Sequence, residues 1–300
     1  MTRIVLMDGG MGQELIARSA NPPSPLWSAR VMLDEPQIVE ATHRDYVEAG
    51  ARVLILNAYS ATPERLARDA SEDLFEPLQA RAIEIARRAI ADSGVRLAGC
   101  LPPLAGSYHP DRAPNFDTSL STYRRIVACQ HGGVDLLACE TLASVAEITA
   151  ATRAGVESGL PVWCAMSVDD TDGTKLRSGE PVADGAAAAR REGAQAIAVN
   201  CSRPEAVAQA LPFLKASGLP FGAWANGFVD AANDLSIGGI VSGMAVRTDL
   251  GPETYADHAM SWVDMGATII GGCCEVGPAH IAHLAQRLRD AGHEIVGDLS

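Results

Sequence analysis

This 300-residue sequence predicts an α/β fold of the eightfold (βα) barrel class, a TIM barrel. Three observations point there. Short β-rich runs alternate with amphipathic helical stretches from end to end, the strand–helix unit recurs eight times, and glycines sit where a helix must stop before the next strand. A doubly wound open sheet shares this alternation and is the competing arrangement, because periodicity does not reveal closure.

In chain order the strand runs are Arg3–Met7, Arg52–Leu56, Leu97–Leu101, Asp135–Cys139, Val162–Ser167, Ala196–Asn200, Phe221–Ala225 and Ala267–Ile270. Each is short, apolar and rich in residues that suit a sheet buried on both faces. The helical patterns between and after them are Gln37–Glu48, Leu74–Asp92, Thr118–His131, Ser144–Glu157, Val182–Arg191, Pro204–Ala216, Pro252–Met265 and Pro278–Ala291. Their starts follow capping and proline-first rules, after Ser71, Asp117, Ser202 or a Gly-Pro pair. Gly50, Gly94, Gly159, Gly193, Gly218 and Gly266 supply the stops. Longer loops, from Gly9 to about Pro36, Pro102 to Asp117 and Gly227 to Gly251, suit lids over a barrel mouth or a contact between subunits of a homo-oligomer. No linker or low-complexity tract interrupts the pattern, so residues 1–300 read as a single domain.

Composition narrows the function classes. With 24 Lys and Arg against 37 Asp and Glu, the net charge of −13 argues against nucleic acid, whose phosphates need a basic footprint. No apolar run approaches the roughly 18 residues of a membrane span, and no secretion signal opens the chain. Seven cysteines, an odd number, then suggest a reducing, cytoplasmic setting.

In a barrel, reactive groups project from the carboxyl ends of the strands. The residues just past the runs include Asp8, Asn57, Glu140, Ser167, Cys201, Asn226 and the pair Cys273-Cys274, which would share one rim. Gly271-Gly272 lets the backbone turn tightly before the vicinal cysteines, whose own bridging would strain the peptide between them. Three thiolates from two strand ends would form a zinc site with one open position, the pattern of catalysis rather than structure. Spacing alone leaves the bland reading open: no Cys-x-x-Cys is present, and free cysteines often serve as small buried hydrophobes, as expected for Cys129, Cys139 and Cys164.

Further motifs resolve this choice by resemblance. Asp8-Gly9-Gly10-Met11-Gly12, Leu26-Trp27-Ser28-Ala29, Asn57-Ala58-Tyr59 followed by Glu64-Arg65-Leu66, Glu140-Thr141, Val199-Asn200-Cys201 and Gly271-Gly272-Cys273-Cys274 occur in that order. Together they resemble the homocysteine S-methyltransferase family, zinc-dependent enzymes on a TIM barrel, over nearly the whole chain. The resemblance implies that Cys201, Cys273 and Cys274 hold Zn2+ and that the homocysteine thiolate fills the fourth position. It implies that Asp8 and Glu140 face the substrate ammonium, with backbone N–H groups of Gly9, Gly10 and the turn to Gly12 facing its carboxylate. Trp27 and Tyr59 match positions near the methyl donor, and Asn57 lies beside the substrate. A helix cap for Asp8 and a rim salt bridge for Glu140 are the plainer alternatives.

The ligand set suits the chemistry. A free thiol of pKa near 8.5 is only about 3% thiolate at pH 7. Zinc deprotonates a bound thiol, a gain of roughly 30-fold, or about 2 kcal/mol. Three cysteine thiolates keep the metal electron-rich, so that the bound sulfur stays nucleophilic. Methyl transfer then needs a donor with a good leaving group, and aromatic faces attract such sulfonium or ammonium cations. Tyr108, Trp224 and Phe228 are looser candidates for that surface. Leu56 and Ala58 replace hydroxyl-bearing residues common in the family, and Ser60 replaces an aromatic common in its betaine-using branch. S-methylmethionine or S-adenosylmethionine is therefore the expected donor. Alternatives are another small thiol or selenol acceptor, such as selenocysteine, or a non-catalytic zinc-binding barrel. His280 and His283 are expected to be helix-face residues, His43 a hydrogen-bonded helical residue, and Cys100 and His109 have no assigned role.

Overall fold

The computed structural model describes residues 1–299. Nine strands, β1 (Arg3–Leu6), β2 (Val53–Ile55), β3 (Arg96–Leu101), β4 (Leu136–Leu142), β5 (Val162–Met166), β6 (Ala196–Asn200), β7 (Phe221–Trp224), β8 (Ile269–Ile270) and β9 (Glu294–Val296), form one parallel sheet. Its order runs from β2 through β8 to β1 and then β9. The sheet closes where Met7 bridges Val53, with Arg52 N–H on Leu6 O at 2.7 Å and Asp8 N–H on Val53 O at 3.0 Å. An open doubly wound sheet has no such contact.

The helices are α1 (Met11–Arg18), α2 (Ser28–Asp34), α3 (Pro36–Ala49), α4 (Pro63–Asp69), α5 (Phe75–Ala89), α6 (Phe116–Gln130), α7 (Val145–Glu157), α8 (Val182–Arg191), α9 (Pro204–Ala216), the single turn α10 (Ala231–Asp234), α11 (Pro252–Asp264) and α12 (Pro278–Asp290). Among the described residues no helix is long and apolar enough to cross a membrane. Asn115 rather than Asp117 caps α6, accepting from Thr118 N–H at 3.0 Å, so that helix starts two residues early. The six predicted glycine stops all take positive φ, as at Gly50 and Gly266 (109° each).

Strand alternation sorts the core into two shells. Ala98, Leu136, Ala138, Trp163, Ala165, Ala196, Ala198 and Trp224 point into the barrel, where many alanines leave room for two indoles. Leu97, Leu137, Cys139, Cys164, Ile197 and Val199 point outward under the helices. Trp224 is thus an interior residue, not a rim aromatic. The same parity carries Cys100 on β3 and Glu140 on β4 inward at the mouth.

The ninth strand is unannounced by the strand–helix rhythm. It pairs with β1 at the amino end (Arg3 with Glu294 through Val5 with Val296), while β2 meets β1 only at the carboxyl end. Val296 and Leu299 pack against the interior cluster and cover the floor of the barrel.

Candidate metal centre and substrate cavity

Two strand ends bring the sulfurs together. Cys201, directly after β6, takes φ 47° and donates its N–H to Trp224 O at 3.0 Å. A left-handed non-glycine residue costs about 1–2 kcal/mol, so neighbouring contacts must hold it. After β8 the chain is pinned three times: Gly271 N–H on Ala223 O, Gly272 N–H on Asp8 O and Cys273 N–H on Ala225 O (3.2, 2.9 and 2.9 Å). Tyr255 of α11 ties β7 to β8 by donating to Gly271 O at 2.6 Å and accepting from Ala225 N–H at 3.2 Å.

The Sγ atoms of Cys201, Cys273 and Cys274 lie within 4.8 Å of one another, and those of Cys201 and Cys274 are 4.0 Å apart. Ligand sulfurs around a tetrahedral ion with bonds of about 2.3 Å sit about 3.8 Å apart, so the trio can hold a metal ion with little movement. Cys201 and Cys274 are buried and Cys273 is half-buried. Hydrogen bonds from the Cys273 and Cys274 thiols push Cys201 well below the ordinary thiol range, and the same contacts push its two partners up. A bound cation would favour the thiolate form of all three.

Neighbouring side chains support Cys201. The Tyr108 hydroxyl lies 2.9 Å from its sulfur, and Asn226 Nδ2 lies 3.9 Å away. Arg177, in the loop after β5, places its guanidinium 4.6 Å from the centre of the Tyr108 ring and donates to Cys201 O at 3.3 Å. It also donates to Ser167 Oγ at 2.7 Å and pairs with Asp170 at 3.0 Å, the whole pair being buried. No motif marked Arg177 in the sequence.

Asp8 and Glu140 stand across the mouth. Asp8 does not cap α1, whose N-cap is Gly10. Its Oδ2 accepts from Ile55 N–H at 2.9 Å, and burial pushes its carboxyl well above the usual range. Among the described residues Glu140 makes no rim salt bridge. Burial pushes it up to about 7, opposed by the Cys100 thiol, which donates to its Oε1 at 3.0 Å, and reinforced by the negative charge of Cys201. Among the described residues neither carboxylate has a basic partner, so the cavity holds two acids ready for a cation. Cys100 thus acquires a place as the donor to Glu140.

Asp8, Gly9, Gly10, Trp27, Asn57, Tyr59, Glu140, Cys201, Cys273 and Cys274 all line one open cavity of about 1070 Å³. A side chain at Gly10 would meet Cys273 O at 2.3 Å, and one at Gly12 would meet the Trp27 ring at 2.0 Å, so both positions depend on close approach. Gly10 spends its N–H on Val276 O at 2.9 Å, leaving the rest of the Gly9–Gly12 turn to face a ligand. Trp27 meets Tyr59 edge-on, centroids 5.9 Å apart, and its indole N–H reaches Gln13 at 3.0 Å. Asn57 is turned to Ser28 O at 3.3 Å.

The 227–251 loop covers the mouth with Phe228, Leu235, Ile237, Val241 and Met244. His109 fastens it to the 102–117 loop, its Nε2 lying 2.7 Å from Leu235 O. Phe228, Tyr108 and Met244 form an apolar cover over the sulfurs. The other histidines stay outside the site. His280 accepts from Gly277 N–H at the start of α12, while His43, buried without a hydrogen-bond partner, is held neutral with its pKa pushed down to about 4 by burial. The hydrogen bond expected for His43 is absent because its α3 face packs into the core.

A closed α/β barrel with two acids and three sulfurs that could hold a metal ion at its strand ends defines the class of site. The family model described as homocysteine S-methyltransferase matches residues 5–288, and the chain belongs to that family. The homocysteine S-methyltransferase of Escherichia coli (strain K12) is 32% identical, the match covering 95% of each chain. The selenocysteine Se-methyltransferase of Brassica oleracea var. italica is 26% identical over 94% of this chain and 88% of its own. Among solved structures, the metallated form of the homocysteine methyltransferase MmuM from Escherichia coli superposes with a TM-score of 0.78 at 31% identity, covering 95% of this chain and 96% of that one.

Proposed function

We propose that the protein is a zinc-dependent methyltransferase that moves a methyl group from a sulfonium donor, S-methylmethionine or S-adenosylmethionine, to the sulfur of homocysteine, giving methionine. The observation that carries this reading is the trio Cys201, Cys273 and Cys274, gathered within 4.8 Å at the floor of the same cavity that holds Asp8 and Glu140. Zinc on these residues would supply deprotonation of the acceptor thiol and a fixed position for its sulfur.

The chain's own groups do the rest. Asp8 and Glu140 receive the acceptor's ammonium, whose charge stabilises both carboxylates against burial. The Gly9–Gly12 turn, with the first N–H groups of α1, receives its carboxylate. Trp27 offers an electron-rich face to the donor cation. Phe228, Tyr108 and Met244 keep water from competing for the methyl group. The transfer is an in-line displacement: a C–S bond forms to the acceptor, the donor's methyl C–S bond breaks, and its electron pair leaves on the donor sulfur. Residues 1–300 act as one domain in this scheme.

The test is methionine formation from homocysteine with S-methylmethionine, S-adenosylmethionine and betaine, with zinc content measured in parallel. About one zinc per chain and turnover with a sulfonium donor are expected. Zinc without turnover with any donor would instead mark a binding barrel. A smaller acceptor, selenocysteine, is a second reading, favoured by the apolar side chains of Leu56 and Ala58 and by the similarity to the Brassica enzyme. Competition between the two acceptors in one assay separates them.

A further inference from the structure

Arg65 has no role in the scheme above, yet it lines the same cavity. A guanidinium is always charged, and a half-buried one normally finds a carboxylate. This one has none among the described residues. Its Nη2 donates to Pro103 O at 3.1 Å and Ser107 Oγ at 3.4 Å, and its Nε is buried without a partner. The nearby acids do not pair with it: Asp69 pairs with Arg68 at 2.7 Å, and Glu64 turns to α6, where Oε1 accepts from Thr122 at 3.0 Å and Oε2 is buried without a partner. Arg68, the other arginine lining the cavity, is held by Asp69 and by Ala105 O at 2.8 Å. One guanidinium therefore lines the cavity without a carboxylate in direct contact.

Its position selects a ligand group. The guanidinium lies over the Tyr59 ring, 5.1 Å from the centroid, and Tyr59 meets Trp27 edge-on at 5.9 Å. Arg65 thus already occupies one face of Tyr59, and a cationic sulfonium would be repelled there and drawn to Trp27. The carboxylate of a sulfonium amino acid lies three carbons from its sulfur, about 5 Å away. With a cation–π separation of up to about 6 Å at Trp27 and a charge-assisted contact of about 2.8 Å at Arg65, that length spans the two steps from Trp27 past Tyr59 to Arg65. The acceptor's charged groups are matched by Asp8, Glu140 and the Gly9–Gly12 turn.

Resting on the methyltransferase reading, we propose that Arg65 anchors the carboxylate of the methyl donor, with Tyr59 and Ser107 holding the guanidinium in place. The donor's positive sulfur then sits at Trp27 and its negative end at Arg65. The site therefore favours donors carrying both charges.

Steady-state kinetics of wild type, Arg65→Gln and Arg65→Lys test this with S-methylmethionine, S-adenosylmethionine and trimethylsulfonium, a donor without a carboxylate. Loss of a charge-assisted contact predicts that Arg65→Gln raises the KM of the carboxylate donor used by about 10- to 100-fold. Arg65→Lys should lie between, since it keeps the charge without the planar fork. Homocysteine KM and use of trimethylsulfonium should change less than about threefold. A parallel fall with trimethylsulfonium, a rise confined to homocysteine KM, or an unchanged donor KM would each overturn the anchor while leaving the methyltransferase reading standing. A wild type inactive with every donor would overturn both.

Discussion

Cys100→Ala is the most informative single perturbation, because it reaches substrate binding through one hydrogen bond. The Cys100 thiol donates to Glu140 Oε1 at 3.0 Å and stabilises the ionised form of a carboxyl already pushed up to about 7 by burial. A thiol is a weak donor, and about 1 kcal/mol is a fair value for its loss. At 1.36 kcal/mol per pKa unit, Glu140 would rise by roughly 0.7 unit. The ionised fraction at pH 7 then falls from about one half to about one sixth. Only the carboxylate attracts an ammonium, so affinity for the acceptor is present above this pKa and lost as the pH drops through it. The expected result is kcat/KM for homocysteine about threefold lower at pH 7, converging with wild type by pH 9. The acidic limb of the profile moves up by roughly the same 0.7 unit. Profiles from pH 6 to 9.5 at saturating donor measure it. An unmoved acidic limb, or a deficit equal at every pH, would refute the link between Cys100, Glu140 and the ammonium.

Four other outcomes follow from the same geometry. Cys201→Ser should lower bound metal well below one per chain, read by elemental analysis after dialysis against a weak chelator, because a neutral hydroxyl replaces the sulfur whose deprotonation is easiest. Gly10→Ala should weaken metal retention with the barrel still folded, since its methyl would meet Cys273 O at 2.3 Å; a chelator competition titration and circular dichroism separate the two. Trp224→Ala should destabilise by about 3–5 kcal/mol in urea unfolding, the cost of a large cavity in the barrel interior. Glu140→Gln should flatten the pH dependence of metal-free stability. Between about 4.5 and about 7 the unfolded chain has released this proton and the native one has kept it, so wild-type stability falls with rising pH across that window.

The barrel was legible because its signals are local. Alternation within Ala196–Asn200, the glycine stops before six of the eight predicted strands and the Gly-Pro starts of α11 and α12 each specify a few residues, and eight repetitions leave few arrangements open. The ninth strand was not legible. Glu294–Val296 is three residues long and half-exposed, and what recruits it is the free edge of β1 below the β2 contact, which exists only once the barrel is closed. α1 and α2 lie in a stretch dense with glycine and proline, where the sequence reads as loop, and α4 is only seven residues long, too short to show a helical period. Contacts such as the Trp27 ring on Gly12 fix them.

The site divides along the same physical line. Residues proposed to meet the ligand or metal come from strand ends: counting one step past an apolar run reaches Asp8, Asn57, Glu140 and Cys201, and Cys273 follows Ile270 by three residues. The groups that tune them are set by neighbours across the sheet. Cys100 reaches Glu140 because β3 and β4 run in register, Cys100 opposite Ala138, and strand parity turns both side chains inward. Arg177 reaches the Cys201 carbonyl and the Tyr108 ring from a loop whose path follows no periodicity. Arg65 shows the intermediate case: it lies in a motif visible in the sequence, but its significance is that no acid pairs with it, a property of the space around α4. In a parallel barrel the reacting groups are thus written along each strand, while the protonation states and orientations that make them react are written between strands.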